Sequence, residues 1–245
     1  MSRPDVILLD IEGTTTSISF VYDVLFPRIR EDLDGWLQAH RDDPALQGHV
    51  DALRALARED AAEGTDVPPI PHGPIDDAVL AAVAANVRAQ MDADRKTTAL
   101  KALQGAMWRD GYRSGTIRGH VYDDVPPALE RWTASGARVA IYSSGSVAAQ
   151  KLLFAHSVAG DLTPLLSAHF DTTSGGKKDA ASYARIAEAL GVAPSAVGFV
   201  SDNPAEIVAA RDAGCAVVLS VRPGNPDVDV DALGAPVVRE FSGLW

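Results

Sequence analysis

Cysteine is nearly absent from this 245-residue chain: Cys215 is the only one, which excludes disulfide scaffolds and cysteine-based zinc sites. Long apolar runs are missing too. The longest nearly apolar stretch, Val79 to Val87, is short and alanine-rich, so no segment reads as membrane-spanning. The N-terminal MSRPDVILLD carries one Arg and four apolar residues before Asp10, which does not read as a secretory signal, and a cytoplasmic protein is expected. The six histidines are scattered with no pair at metal-ligand spacing, and no G-x-G-x-x-G follows the first apolar run. Positive charge is in deficit, with 22 Lys+Arg against 33 Asp+Glu and a net charge of −11. That balance argues against nucleic-acid or anionic-membrane partners, both of which need basic surface. An anionic substrate would need local positive charge, for which a divalent cation is the natural source.

What is present is ordinary globular material, 47% apolar and 22% charged, with length enough for one large domain or two small ones. Val6-Ile7-Leu8-Leu9 reads as a strand buried on both faces of a parallel sheet. Residues 19–116 then read as helical. Ile29, Leu33 and Trp36/Leu37 share a face; Asp43-Pro44 opens a helix with Leu46, Val50 and Leu53 inward; Glu63–Pro74, with four prolines, is a loop. Asp76 or Asp77 caps a helix striped by Val79, Val83, Val87 and Met91, and Thr97 or Thr98 starts another with Leu100, Leu103 and Met107 inward.

From 117 to 245 strand and helix alternate. Strands are predicted at Arg138–Tyr142, Ala168–Phe170, Val197–Ser201 and Ala216–Val221, and helices near Pro127–Ser135, Val147–Ala155, Ala180–Leu190 and Pro204–Ala213. The expected fold is α/β: a Rossmann-like parallel sheet core formed by 1–18 with 117–245, interrupted by an all-helical cap of 19–116. Inserted directly after the first strand, such a cap would overhang the sheet edge and exclude water, and Phe20, Tyr22 and Arg113 are its unranked candidates for substrate contact.

Ligands of open α/β sheets bind outside the carboxyl ends of the strands. There the first strand delivers Asp10-Ile11-Glu12-Gly13-Thr14-Thr15, the next Ser143-Ser144-Gly145, the third Gly175-Gly176-Lys177-Lys178 and the fourth Ser201-Asp202 with Glu206 one turn on. Taken singly, each has a plainer reading: a helix cap for the serines and Asp202, a solvated pair for the lysines, a first-turn acid for Glu206. Together they suit phosphoryl transfer through an aspartyl phosphate. A carboxylate can attack phosphorus, a second acid can protonate the leaving oxygen and later activate water, and Mg²⁺ sits well between carboxylates and a phosphate.

These motifs resemble, in order, those of the haloacid-dehalogenase-like phosphatases. The run Asp10-Ile-Glu-Gly-Thr-Thr-Thr-Ser-Ile-Ser-Phe-Val is similar to the opening of the enolase-phosphatases of methionine salvage, the acireductone synthases. Tyr122-Asp-Asp-Val, Tyr142-Ser-Ser-Gly-Ser-Val-Ala-Ala-Gln-Lys-Leu-Leu-Phe and Gly176-Lys177 followed by Ser182-Tyr183 carry the likeness along essentially the whole chain. The resemblance implies a bifunctional, Mg²⁺-dependent enzyme acting on a small phosphorylated diketone; nothing in the sequence demands a partner chain, so a monomer is expected. It implies Asp10 as nucleophile and metal ligand and Glu12 as acid/base and metal-site residue. Ser143 and Ser144 fall to substrate, Lys177 to phosphate and catalysis, and Asp202 to metal. Spacing to Ser182-Tyr183 favours Lys177 over Lys178. A signalling receiver is the rival from another class, but receivers are about half this length and carry the acceptor Asp after the third strand. A dehalogenase would lack an acid at Glu12, and another small-metabolite phosphatase is the remaining alternative.

Overall fold

The protein is described by a computed structural model over residues 3–245, six strands forming one all-parallel sheet in the order β3-β2-β1-β4-β5-β6. The strands are β1 Val6–Leu9, β2 Arg138–Tyr142, β3 Ala168–Phe170, β4 Val197–Ser201, β5 Ala216–Ser220 and β6 Val237–Val238. β1 is central: Leu9 is in register with Ile141 on one side and Val200 on the other. All four of its residues are buried, as expected of an apolar strand covered on both faces. This order reverses direction between β1 and β4, the place where doubly wound sheets open a ligand crevice. Asp10 and Asp202, the residues following these two strands, therefore flank that crevice.

The chain forms two compact units, one of residues up to Asp23 with Tyr112–Trp245, the other of Val24–Gly111. The second contains the helices α1 Phe26–Ala39, α2 Pro44–Ala62, α3 Asp77–Asp92 and most of α4 Thr98–Ser114. It has its own core, in which Leu33, Val50, Leu53, Val83, Val87 and Leu103 are fully buried. Asp43 caps α2 by accepting from the Ala45 N–H, and Asp76, rather than Asp77, caps α3 by accepting from that of Val79. Thr97 accepts from the Leu100 N–H at the start of α4. The division falls at 23/24 and 111/112, several residues inside the 19–116 expected from helical periodicity. The reason is local: Phe20–Leu25 is a π-helical turn whose Phe20 ring faces His120, so its first residues pack with the α/β unit.

In the α/β unit the helices are α5 Val125–Ala134, α6 Val147–Ala155, α7 Ala180–Ala189, α8 Pro204–Asp212 and the short α9 Val230–Leu233. α5 starts two residues before the predicted Pro127, because Pro126 and Pro127 both fit a first turn whose N–H groups need no partner. β5 stops one residue short of Val221. Its neighbour β6, two residues long, carries too little pattern to be read beforehand. Cys215 is buried, which pushes its thiol pKa up to about 11 and leaves it an unreactive packing residue. Among the described residues no helix is long and apolar enough to cross a membrane.

Candidate functional site

Asp10 leaves β1 at the crevice with its carboxylate buried. Oδ1 accepts from the Ile11 N–H at 2.8 Å and from Lys177 Nζ at 2.5 Å; Oδ2 accepts from Ser201 Oγ at 3.2 Å. The following turn is tight, with the N–H groups of Thr14, Thr15 and Thr16 all donating to the Ile11 carbonyl. Gly13 is required in it on two counts. Its φ is +69°, and an added Cβ would stand 2.4 Å from Asp202 Oδ2.

Lys177 arrives from the loop between β3 and α7. Its ammonium, almost fully buried, lies 2.5 Å from Asp10 and 2.8 Å from Glu206 Oε2, while Lys178 beside it is exposed. Two tyrosine hydroxyls hold that loop from below: Tyr142 donates to the Gly175 carbonyl at 2.8 Å and Tyr183 to the Lys177 carbonyl at 2.6 Å. Burial by itself would lower the Lys177 pKa, but Asp10 and Glu206 more than offset this and hold it charged.

Glu206, left open between two readings by the sequence, is a buried partner of Lys177 and accepts from Ser201 Oγ at 2.8 Å. Ser201 thus stands between Asp10 and Glu206, its single hydroxyl proton shared between the two carboxylates. Glu12 lies by the end of β2, where Ser143 Oγ donates to its Oε2 at 3.4 Å. Ser143 is buried and accepts from the Gly145 N–H at 3.2 Å; Ser144 is exposed in the same turn, and the side-chain cap of α6 is Ser146. Asn203, not Asp202, caps α8, which leaves the Asp202 carboxylate available to the crevice.

Four carboxylates therefore face one ammonium. Burial and then the Asp10 charge raise the pKa of Glu12; burial, with Asp10 and Glu206, raises that of Asp202 to about 7; burial and Asp10 likewise raise Glu206, against the pull of Lys177 and Ser201. Asp10, Lys177, Glu206 and Ser201 form one connected network, and Glu12 with Ser143 and Asp202 lie alongside it. The predicted ligands Asp10, Glu12 and Asp202 do not close into a cage, since among the described residues no three His, Cys, Asp or Glu side chains are grouped to hold a metal alone. Ser201 and Tyr183, which position the network, had no role from sequence.

A family profile described as haloacid dehalogenase-like hydrolase matches residues 4–214. Enolase-phosphatase E1 of Anopheles gambiae is 48% identical over 240 residues, 97% of this chain and 81% of that protein. Enolase-phosphatase E1 of Synechococcus elongatus is 49% identical over 225 residues, 91% of each. Among solved structures, the Unknown transcript 4 protein of Saccharomyces cerevisiae superposes with a TM-score of 0.80 at 34% identity, covering 99% of this chain and 100% of that one. A dehalogenase with a TM-score of 0.57 and 19% identity shares the fold. The chain belongs to the haloacid dehalogenase-like hydrolases and, within them, to the enolase-phosphatases.

Proposed function

We propose that this enolase-phosphatase converts 2,3-diketo-5-methylthiopentyl-1-phosphate into the acireductone 1,2-dihydroxy-3-keto-5-methylthiopentene and phosphate, enolising the diketone and then hydrolysing the phosphoester through an aspartyl phosphate. The observation that carries this reading is the setting of Asp10: a carboxylate fixed at the crevice by Ile11 N–H, Ser201 and Lys177, with Glu12 two residues on and held by Ser143. An Asp so restrained has lost its rotational freedom before substrate arrives.

In the phosphatase half, an Asp10 carboxylate oxygen attacks phosphorus while the bond from phosphorus to the enol oxygen breaks. Glu12 gives its proton to that departing oxygen. A water molecule then attacks the phosphorus of the acyl phosphate, Glu12 takes back a proton, and Asp10 and orthophosphate are released. Lys177, already bonded to Asp10, stabilises charge on the transferring phosphoryl oxygens. Ser143 and Ser144 bind the substrate at the end of β2.

The donor set suits Mg²⁺. Hard carboxylate oxygens outnumber the one ammonium, and magnesium is ordinarily held by one or two carboxylates, water and substrate phosphate, not by a full protein cage. Asp10 and Asp202 would hold it through their carboxylates, with Glu12 as the remaining protein contact. Its positive charge would let an anionic nucleophile approach an anionic phosphate.

The test is a phosphate-release assay on the diketone phosphate, with an ultraviolet trace following the enol. Wild type releases phosphate with Mg²⁺ and stops with EDTA. Asp10→Asn loses phosphate release by about 10⁴-fold or more while enol still accumulates. Release from Asp10→Asn at the wild-type rate would remove the nucleophile assignment. The enzyme is read as a cytoplasmic monomer, which gel filtration of the purified chain checks.

A further inference from the structure

The segment after β5 reaches back to the loop that follows Asp10. Ser220 Oγ and Asn225 Nδ2 both donate to the Gly13 carbonyl, at 3.1 and 2.9 Å, and Arg222 Nε donates to the Thr14 carbonyl at 3.1 Å. Arg222 is itself fixed by Asp124 and by the Arg239 carbonyl, with its guanidinium 4.6 and 4.4 Å from the Tyr122 and Phe241 ring centres. Three side chains from one short stretch thus grip two consecutive carbonyls of the nucleophile loop.

Asn225 does something more. Its Nδ2 also donates to the Ser220 carbonyl at 3.4 Å, so the amide has one workable orientation: reversed, Oδ1 would face two carbonyl oxygens. Oδ1 consequently points the other way, buried, with no hydrogen bond from any described group. The position that a Cβ on Gly13 would take lies 2.4 Å from Asp202 Oδ2 and 3.0 Å from Asn225 Oδ1, so a carboxylate oxygen and an amide oxygen converge on one spot. A buried acceptor with no donor, set beside a carboxylate oxygen, calls for a hydrogen donor or a cation.

We propose that Asn225 is a positioning residue of the cation site. Nδ2 sets the Gly13 carbonyl and with it the Asp10–Thr14 loop, and Oδ1 accepts a hydrogen bond from the hydration shell of the divalent cation held by Asp202. This rests on the metal-dependent reading above, and deepens it. Partners just outside a metal's own ligands orient it, and their loss ordinarily costs 10- to 100-fold in affinity.

Metal binding to the full chain without substrate tests this, with Mn²⁺ followed by electron paramagnetic resonance and Mg²⁺ measured by competition. Asn225→Ala weakens binding about tenfold or more. Asn225→Asp keeps the acceptor oxygen but loses the donor to the Gly13 carbonyl, so it binds more weakly than wild type yet more tightly than Asn225→Ala. Ser220→Ala removes only the other donor to Gly13 and leaves binding within about threefold of wild type, as a distant polar support should. Thermal unfolding is recorded for each, and Asn225→Leu, which keeps the volume, substitutes where Asn225→Ala does not fold. Unchanged binding in Asn225→Ala, or equal losses in the Ala and Asp variants, would overturn the assignment. Should wild type bind neither ion, or Asp202→Asn bind as well as wild type, the metal-dependent reading falls and this one with it; normal binding by wild type with an indifferent Asn225 removes the inference alone.

Discussion

Both units of the chain bury polar side chains, but they treat charge in opposite ways. In the helical unit the buried charged and amide side chains are largely matched, Arg41 Nε being an exception. Asp60 receives two Arg95 nitrogens at 2.6 Å each; Arg54 donates to the Pro71 and Gly73 carbonyls and to Asp51. Asn86, Gln90 and Thr97 form a chain running from the Pro68 carbonyl. Donors and acceptors are paired and the Asp60–Arg95 charges cancel, as a structural network must in a poorly polarisable interior. At the sheet edge, Asp10, Glu12, Asp202 and Glu206 share one Lys177, and burial, with the neighbouring carboxylates, raises the pKa of Glu12, Asp202 and Glu206 against its pull. Burial of polar groups therefore does not distinguish function from structure here. The imbalance of charge does, because a protein keeps a costly surplus only where a ligand completes it.

Substitution of the cation in each network sharpens the contrast. Lys177→Met should reduce kcat for phosphate release by about 10²- to 10³-fold, the usual effect of deleting one group that stabilises transition-state charge. Lys177→Arg should not restore it, because a planar fork does not fit a slot built for a point charge between Asp10 and Glu206. Arg95→Met in the helical unit should leave kcat within about twofold and instead lower unfolding free energy by about 2 kcal/mol, less than a fully buried pair because Arg95 is partly exposed. Urea unfolding and steady-state assays of the two variants decide the matter. If Arg95→Met lost activity at full stability, or Lys177→Met lost stability at full activity, charge imbalance would not mark the functional network.

Periodicity and position made most of this architecture readable in advance. The Val6–Leu9 run could only be a strand covered on both faces, and the residues that end β1, β2 and β4 had to meet on one edge because the strands are parallel. Lys177 and Lys178 are neighbours with the same chemistry, so only coordinates show that one turns inward to Asp10 and the other outward. Glu206 is ambiguous for a related reason: a first-turn acid suits a helix dipole whether or not it also reaches a lysine. Position puts Ser201 at the edge without a partner, and Ser220, Arg222 and Asn225 give no signal. Their partners are backbone carbonyls or residues far away in the chain, and such contacts leave no spacing to detect.

Tyr183 tests the contrast at its finest scale, because a single hydroxyl links the sheet's apolar core to the charged edge. Its ring is fully buried, packed edge-on against Tyr142 and Phe199, while the hydroxyl donates to the Lys177 carbonyl at 2.6 Å. Tyr183→Phe preserves the ring packing and deletes only that bond, so stability should fall by about 1 kcal/mol. If the bond aims Lys177, kcat for phosphate release falls further than this loss explains, by about three- to tenfold, with KM nearly unchanged, because an interaction used chiefly in the transition state is weakened. A Tyr183→Phe enzyme with wild-type kcat and lowered stability would place the hydroxyl with the matched, structural groups of the helical unit. The two-tyrosine support beneath the loop makes the kcat loss the expected result, since with the Tyr183 hydroxyl gone Tyr142, through the Gly175 carbonyl, is the remaining tyrosine that holds that loop.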